Sequence, residues 1–132
     1  MRVFLDANIL FSASLPQSRT RAFLDVVLSR AKCLVNNYAM EEARRNLSAK
    51  FPEGLVTLQR LTERCEMIPA LPTRLEVDLA LKDVPILGGA IAGRATHLLT
   101  GDERDFGKLW GETIHGVKIV SPRMLADEMQ LS

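Results

Sequence analysis

The residues of this chain that can do chemistry together are acids. Asp6 closes the short apolar run Val3–Leu5; Glu41 and Glu42 follow a second such run, Cys33–Val35, by a few residues; Asp83 opens an apolar stretch; Asp102 and Asp105 follow a third run, His97–Leu99. If those segments meet, their carboxylates repel one another, and at least one takes up a proton unless a cation intervenes. Mg²⁺ or Mn²⁺ suits such a site, because both prefer hard oxygen ligands and keep several waters. One or two such ions can activate water and stabilise the leaving oxygen of a phosphodiester. That is nuclease chemistry without a catalytic His, Ser or Cys.

The elements that must position these acids alternate between strand-like and helix-like runs, the pattern of an α/β domain with a mostly parallel sheet. Strands are expected at Val3–Leu5, Cys33–Val35, Cys65–Ile68, His97–Leu99 and Val117–Val120. Between Arg19 and Arg30, the apolar residues Ala22, Phe23, Val26 and Val27 form a helical stripe. Asn37 is expected to cap a helix over Tyr38–Ser48, Pro52 to end it, and Glu53–Glu63 to form the next. Asp83 stands at the start of a helix with Pro85 in its first turn, Glu103–Leu109 reads as a short helix, and Ser121-Pro122 opens the last one. In an open parallel sheet, ligands collect beyond the carboxyl ends of the strands. Asp6, Asp102 and Asp105 belong on that rim directly, and Glu41 or Glu42 and Asp83 near the positive ends of helices beside it.

The 132 residues are expected to form one domain, 1–132, and 47% hydrophobic against 25% charged residues fits a globular fold and excludes a disordered chain. Net charge is +1, which excludes a polycationic nucleic-acid coat. With several acids gathered in one site, however, the remaining surface is basic. Cys33 and Cys65 lack metal-ligand spacing and read as reduced core thiols, which points to a reducing cytoplasm. No run approaches the ~20 apolar residues of a membrane span.

Each acid also has an ordinary structural role available. Asp6 and Asp83 can cap helices, Asp102 can hold a turn, and Glu41 and Glu42 can be helix-surface charges. His97 and His115 have no metal spacing, and Ser12 and Ser14 have no nearby base. Arg44 and Arg45 are solvated helix charges or weak RNA contacts. It is the joint placement of the acids that favours a site.

The stretches FLDANILFSA, NNYAMEEARRNL, LKDVPILGGAIAGRATHLLTGDERDF and VKIVSPRML, in that order, resemble the PIN domain family over nearly the whole chain. The resemblance implies a three-layer α/β/α fold around a central, mostly parallel sheet of about five strands, similar to RNase H-like and flap-nuclease arrangements. It implies a metal-dependent endoribonuclease, the VapC-like toxin component of a toxin–antitoxin pair. Its catalytic acids would be Asp6, Glu42, Asp83 and Asp102, with Asp105 as a further metal ligand and Asn8 and Thr100 in support. Glu41 remains an alternative to Glu42, and Asp105 to Asp102. Mg²⁺ or Mn²⁺ would be the cofactor; RNA, a cognate antitoxin and a second copy of the chain would be partners, with no membrane. Two other classes stand beside it. One is a PIN-like interaction module without activity. The other is a haloacid dehalogenase-type phosphatase, disfavoured because Asn8 stands where that chemistry needs a second acid.

Overall fold

A computed structural model describes residues 1–69 and 83–131. Its elements run β1 (Arg2–Leu5), α1 (Ala7–Ala13), α2 (Arg19–Arg30), β2 (Lys32–Val35), α3 (Asn37–Lys50), a 3₁₀ turn (Pro52–Gly54), α4 (Leu55–Glu63) and β3 (Glu66–Met67). Then come α5 (Val84–Ala92), β4 (His97–Leu99), α6 (Glu103–Phe106), a second 3₁₀ turn (Gly107–Leu109), β5 (Thr113–Ile114), β6 (Val117–Val120) and α7 (Pro122–Glu128). Leu81 and Lys82, which open one of the motifs quoted above, lie outside the described residues. Among the described residues, no helix is long and apolar enough to cross a membrane.

Among the described residues the strands form one six-stranded sheet in the order β3-β2-β1-β4-β6-β5. Pairing is parallel from β3 through β6, with Val3 opposite Cys33 and His97, and antiparallel between β5 and β6. This corrects the expectation of about five mostly parallel strands: the sheet is mixed, and β5 is its antiparallel edge. Two residues are too few to show periodicity, so β5 escapes a reading by pattern. The turn between β5 and β6 is at His115 and Gly116, both with positive φ, 48° and 83°, as a two-residue type I′ hairpin requires.

Val3, Phe4 and Leu5, with Leu98 and Leu99, are wholly buried, as continuous apolar runs in central parallel strands should be. Helices α1 to α4 pack on one another, whereas α5 packs on β1 and β4 and α7 on β6. Cys33 is buried and Cys65 half-buried, and neither forms a disulfide. Burial pushes their thiols up, to about 12 and about 11.

Other boundaries move for local reasons. The cap of α3 is Asn36, whose Oδ1 accepts from the Ala39 amide at 3.0 Å; Asn37 is already helical. The Pro52–Gly54 turn delays α4 to Leu55, the strand expected over Cys65–Ile68 pairs only at Glu66 and Met67, and the stretch 103–109 divides into α6 and a 3₁₀ turn. Asn36 also donates through Nδ2 to the Pro85 carbonyl at 3.1 Å, tying the start of α3 to the start of α5. Gly89 makes room for this, since a Cβ there would stand 2.4 Å from Asn36 Nδ2 and 3.0 Å from the Phe4 ring.

Candidate cation site at the sheet rim

The strand order sends the chain to one side from β1 and to the other from β4, so the crevice between their carboxyl ends is the topological switch point. Leu5 pairs with Leu99, and the Asp6 amide donates to the Leu99 carbonyl at 3.1 Å. The next residues, Asp6 and Thr100, are thereby held side by side at the rim, 3% and 0% exposed.

Asp6 is both a cap and a site residue. Its Oδ1 accepts from the Ala7 amide at 2.7 Å, capping α1, while Oδ2 accepts from the Thr100 hydroxyl at 2.8 Å and from Asn8 Nδ2 at 3.2 Å. Asn8 Oδ1 in turn accepts from the Gly101 amide at 2.9 Å, and Thr100 Oγ1 accepts from the Asp102 amide at 3.1 Å. Asn8 and Thr100 thus bind the segment after β1 to the segment after β4. Trp110 Nε1 donates to the Thr100 carbonyl at 3.2 Å and steadies the same corner.

A cavity of ≈ 220 Å³ opens beside this network, lined by Asp6, Asn8, Glu42, Asp83 and Asp102, with Phe11, Asn46 and Lys50 completing its wall. Asp83 is 4% exposed and heads α5 without a side-chain cap bond to that helix. Glu42 faces the cavity; Glu41 lies outside it, exposed, with both carboxylate oxygens on Arg44 at 2.7 and 3.2 Å. That guanidinium holds the Glu41 carboxyl below its ordinary range. Asp102 lines the cavity and its Oδ1 also caps α6, accepting from the Asp105 amide at 3.0 Å, while Asp105 itself is not part of the lining. Arg44 and Arg45 flank other surface hollows and are not part of this cavity's lining.

Burial raises the Asp6 carboxyl from 3.8 to about 6; the bonds from Thr100 and Ala7 oppose the rise, and the charges of Glu42 and Asp102 add to it. A cation in the cavity would take over the role of that proton. The oxygen-only acids suit Mg²⁺ or Mn²⁺ in ligand type. Among the described residues, however, no three acids converge closely enough to hold one ion between them. The donor set therefore fits an ion held by fewer direct carboxylates, with water completing its shell, and does not fit a closed protein cage.

Three lining residues, Phe11, Asn46 and Lys50, are not among the candidates that the sequence suggests. The signal for two of them is the spacing of four from Glu42 to Asn46 to Lys50, which stacks them on one face of α3. Phe11 carries no such mark, since its place depends on how α1 meets α3.

No protein-family model matches the chain, and no curated protein matches it. Among solved structures, the fold is similar to a chain of VapBC2 from Rickettsia felis bound to a DNA fragment from its promoter, with TM-score 0.68 and 19% identity over 92% of this chain and 98% of that one. It is also similar to a chain of FitAcB from Neisseria gonorrhoeae, with TM-score 0.57 and 17% identity over the same shares. Identities this low carry the fold alone. The expected membership of the PIN family is corrected by these neighbours, which are chains of VapBC2, bound to a DNA fragment from its promoter, and of FitAcB. The reading as a VapC-like, metal-dependent endoribonuclease toxin is corrected with it, on the same neighbours.

Proposed function

We propose that this chain is a component of a toxin–antitoxin system whose acidic cleft binds a divalent cation, Mg²⁺ or Mn²⁺, and engages a phosphodiester. The observation that carries the cation is the gathering of Asp6, Glu42, Asp83 and Asp102 around one cavity at the switch point of the sheet. The system is supported by the likeness to chains of VapBC2 and FitAcB, and a partner protein belongs to the same proposal.

In this reading Asp6 is the fixed ligand, since Thr100, Asn8 and the Ala7 amide leave its carboxylate little freedom. Glu42, Asp83 and Asp102 line the cavity from three other segments, so the ion's water shell, rather than direct bonds from every acid, would reach α3, α5 and the turn after β4. When bound, the ion supplies charge neutralisation and Lewis acidity toward a phosphoryl oxygen. Hydrolysis of a phosphodiester is the enzymatic reaction class proposed for the cleft.

Titration calorimetry with MnCl₂ tests the cation directly. Wild type should bind in the micromolar to millimolar range, and Asp6→Asn should lose at least about tenfold in affinity. Hydrolysis of bis(4-nitrophenyl) phosphate in Mn²⁺, lost in Asp6→Asn, tests the reaction. Absence of Mn²⁺ heat in wild type refutes the site.

A second reading, a DNA-binding or antitoxin-like component, is favoured by the promoter DNA in the VapBC2 complex. A gel shift of duplex DNA that persists in chelator and survives Asp6→Asn would select it over the first.

A further inference from the structure

The acidic cavity has one basic wall residue, Lys50, and its environment is unusual for a lysine beside four carboxylates. Its Nζ lies 5.7 Å from the centroid of the Phe11 ring, another wall residue, and among the described residues it makes no ion pair. Elsewhere on α3, Arg44 folds onto its own helix neighbour Glu41 at 2.7 Å. Lys50 stands two turns beyond Glu42, with Asn46 between them, so one face of α3 carries an acid, an amide and an ammonium in a row along the cavity. Its place in the last turn of α3 favours a positive charge, but a helix end alone does not require the ammonium to lean over Phe11.

We infer that Lys50, held over Phe11 and assisted by Asn46, is the anion-contacting residue of this cleft and grips a phosphodiester oxygen while the acids hold the cation. This rests on the cation reading above and names the ligand class it serves. A cavity lined by four carboxylates and by an ammonium that, among the described residues, makes no ion pair suits a ligand that presents a bridged cation to the acids and an anion to Lys50. The contact with the ring restrains the ammonium and lowers the ordering it must undergo when the anion arrives. Lys50 is an exposed residue, so replacing it should leave the fold intact.

The test uses the full chain and two titrations. Mn²⁺ is titrated first into wild type, Lys50→Met and Lys50→Arg. The thymidine dinucleotide pTpT, or inorganic phosphate in a parallel arm, is then titrated into each Mn²⁺-loaded protein. Lys50→Met should bind pTpT about tenfold or more weakly, as expected for loss of one charge-assisted hydrogen bond. Its Mn²⁺ affinity should not fall, and Lys50→Arg should recover most of the pTpT binding. If Lys50→Met binds Mn²⁺ and pTpT like wild type, the role of Lys50 is refuted and the cation site stands. If inorganic phosphate binds as tightly as pTpT and is equally sensitive to Lys50, the phosphodiester assignment is refuted in favour of free phosphate. If wild type takes up no Mn²⁺, the cation reading fails and this inference with it.

Discussion

Asp6→Asn should change sign as a stability mutation between pH 4 and pH 7.5. Burial raises the Asp6 carboxyl from 3.8 to about 6, so the folded chain keeps a proton that the unfolded chain releases. Stability drawn from Asp6 is complete below 3.8 and is lost as pH rises through about 6. Over that window the loss is about 3 kcal/mol, because each pH unit between the two values is worth about 1.4 kcal/mol. Asparagine has no such titration, but its single carbonyl oxygen cannot serve both the Ala7 amide and the Thr100 hydroxyl, at a cost of about 1 kcal/mol. The variant should therefore be about 1 kcal/mol less stable than wild type at pH 4 and about 2 kcal/mol more stable at pH 7.5. Thermal melts in EDTA from pH 4 to pH 8 measure this as a relative swing in Tm of about 10 °C. A wild-type-minus-variant difference that stays flat across the range refutes the buried, proton-holding Asp6.

Three further outcomes follow from the packing. Asn36→Ala removes both the α3 cap and the link to Pro85, and should cost about 1–3 kcal/mol in urea denaturation; a cost within error of zero would show the link to be idle. Gly89→Ala places a methyl 2.4 Å from Asn36 Nδ2 and 3.0 Å from the Phe4 ring, so it should destabilise by about 1–3 kcal/mol, read from the shift in urea midpoint. Cys33 and Cys65, pushed up to about 12 and about 11, should react with Ellman's reagent at pH 8 about a hundredfold more slowly in the native chain than in urea; equal rates would contradict their burial.

Part of the cavity lining was legible because the placement of acids is tied to chain position. Asp6, Asp83 and Asp102, placed at strand ends and helix starts by the pattern of apolar runs, line one cavity, together with Asn8 and Glu42, which the family resemblance implied. Asp105, Arg44 and Arg45 lie outside it, since a helix surface points some residues away from any one neighbour. Membership of a family does not follow from the same residues. Short motifs of common residue types recur within a fold, and fold does not decide function.

By itself, the sequence determined the alternation of strands and helices, the burial of Val3–Leu5 and His97–Leu99, and the delivery of acids to the ends of those strands, because all of these depend on neighbours along the chain. Tertiary structure alone decided that β1 lies beside β4, that Thr100 therefore bonds to Asp6, and that Glu42 faces the cavity where Glu41 does not. It also decided the antiparallel β5 edge and the seat of Lys50 over Phe11. These are contacts between segments far apart in the chain, fixed by strand order and by the rotation of each helix against its neighbour, and no local pattern encodes either.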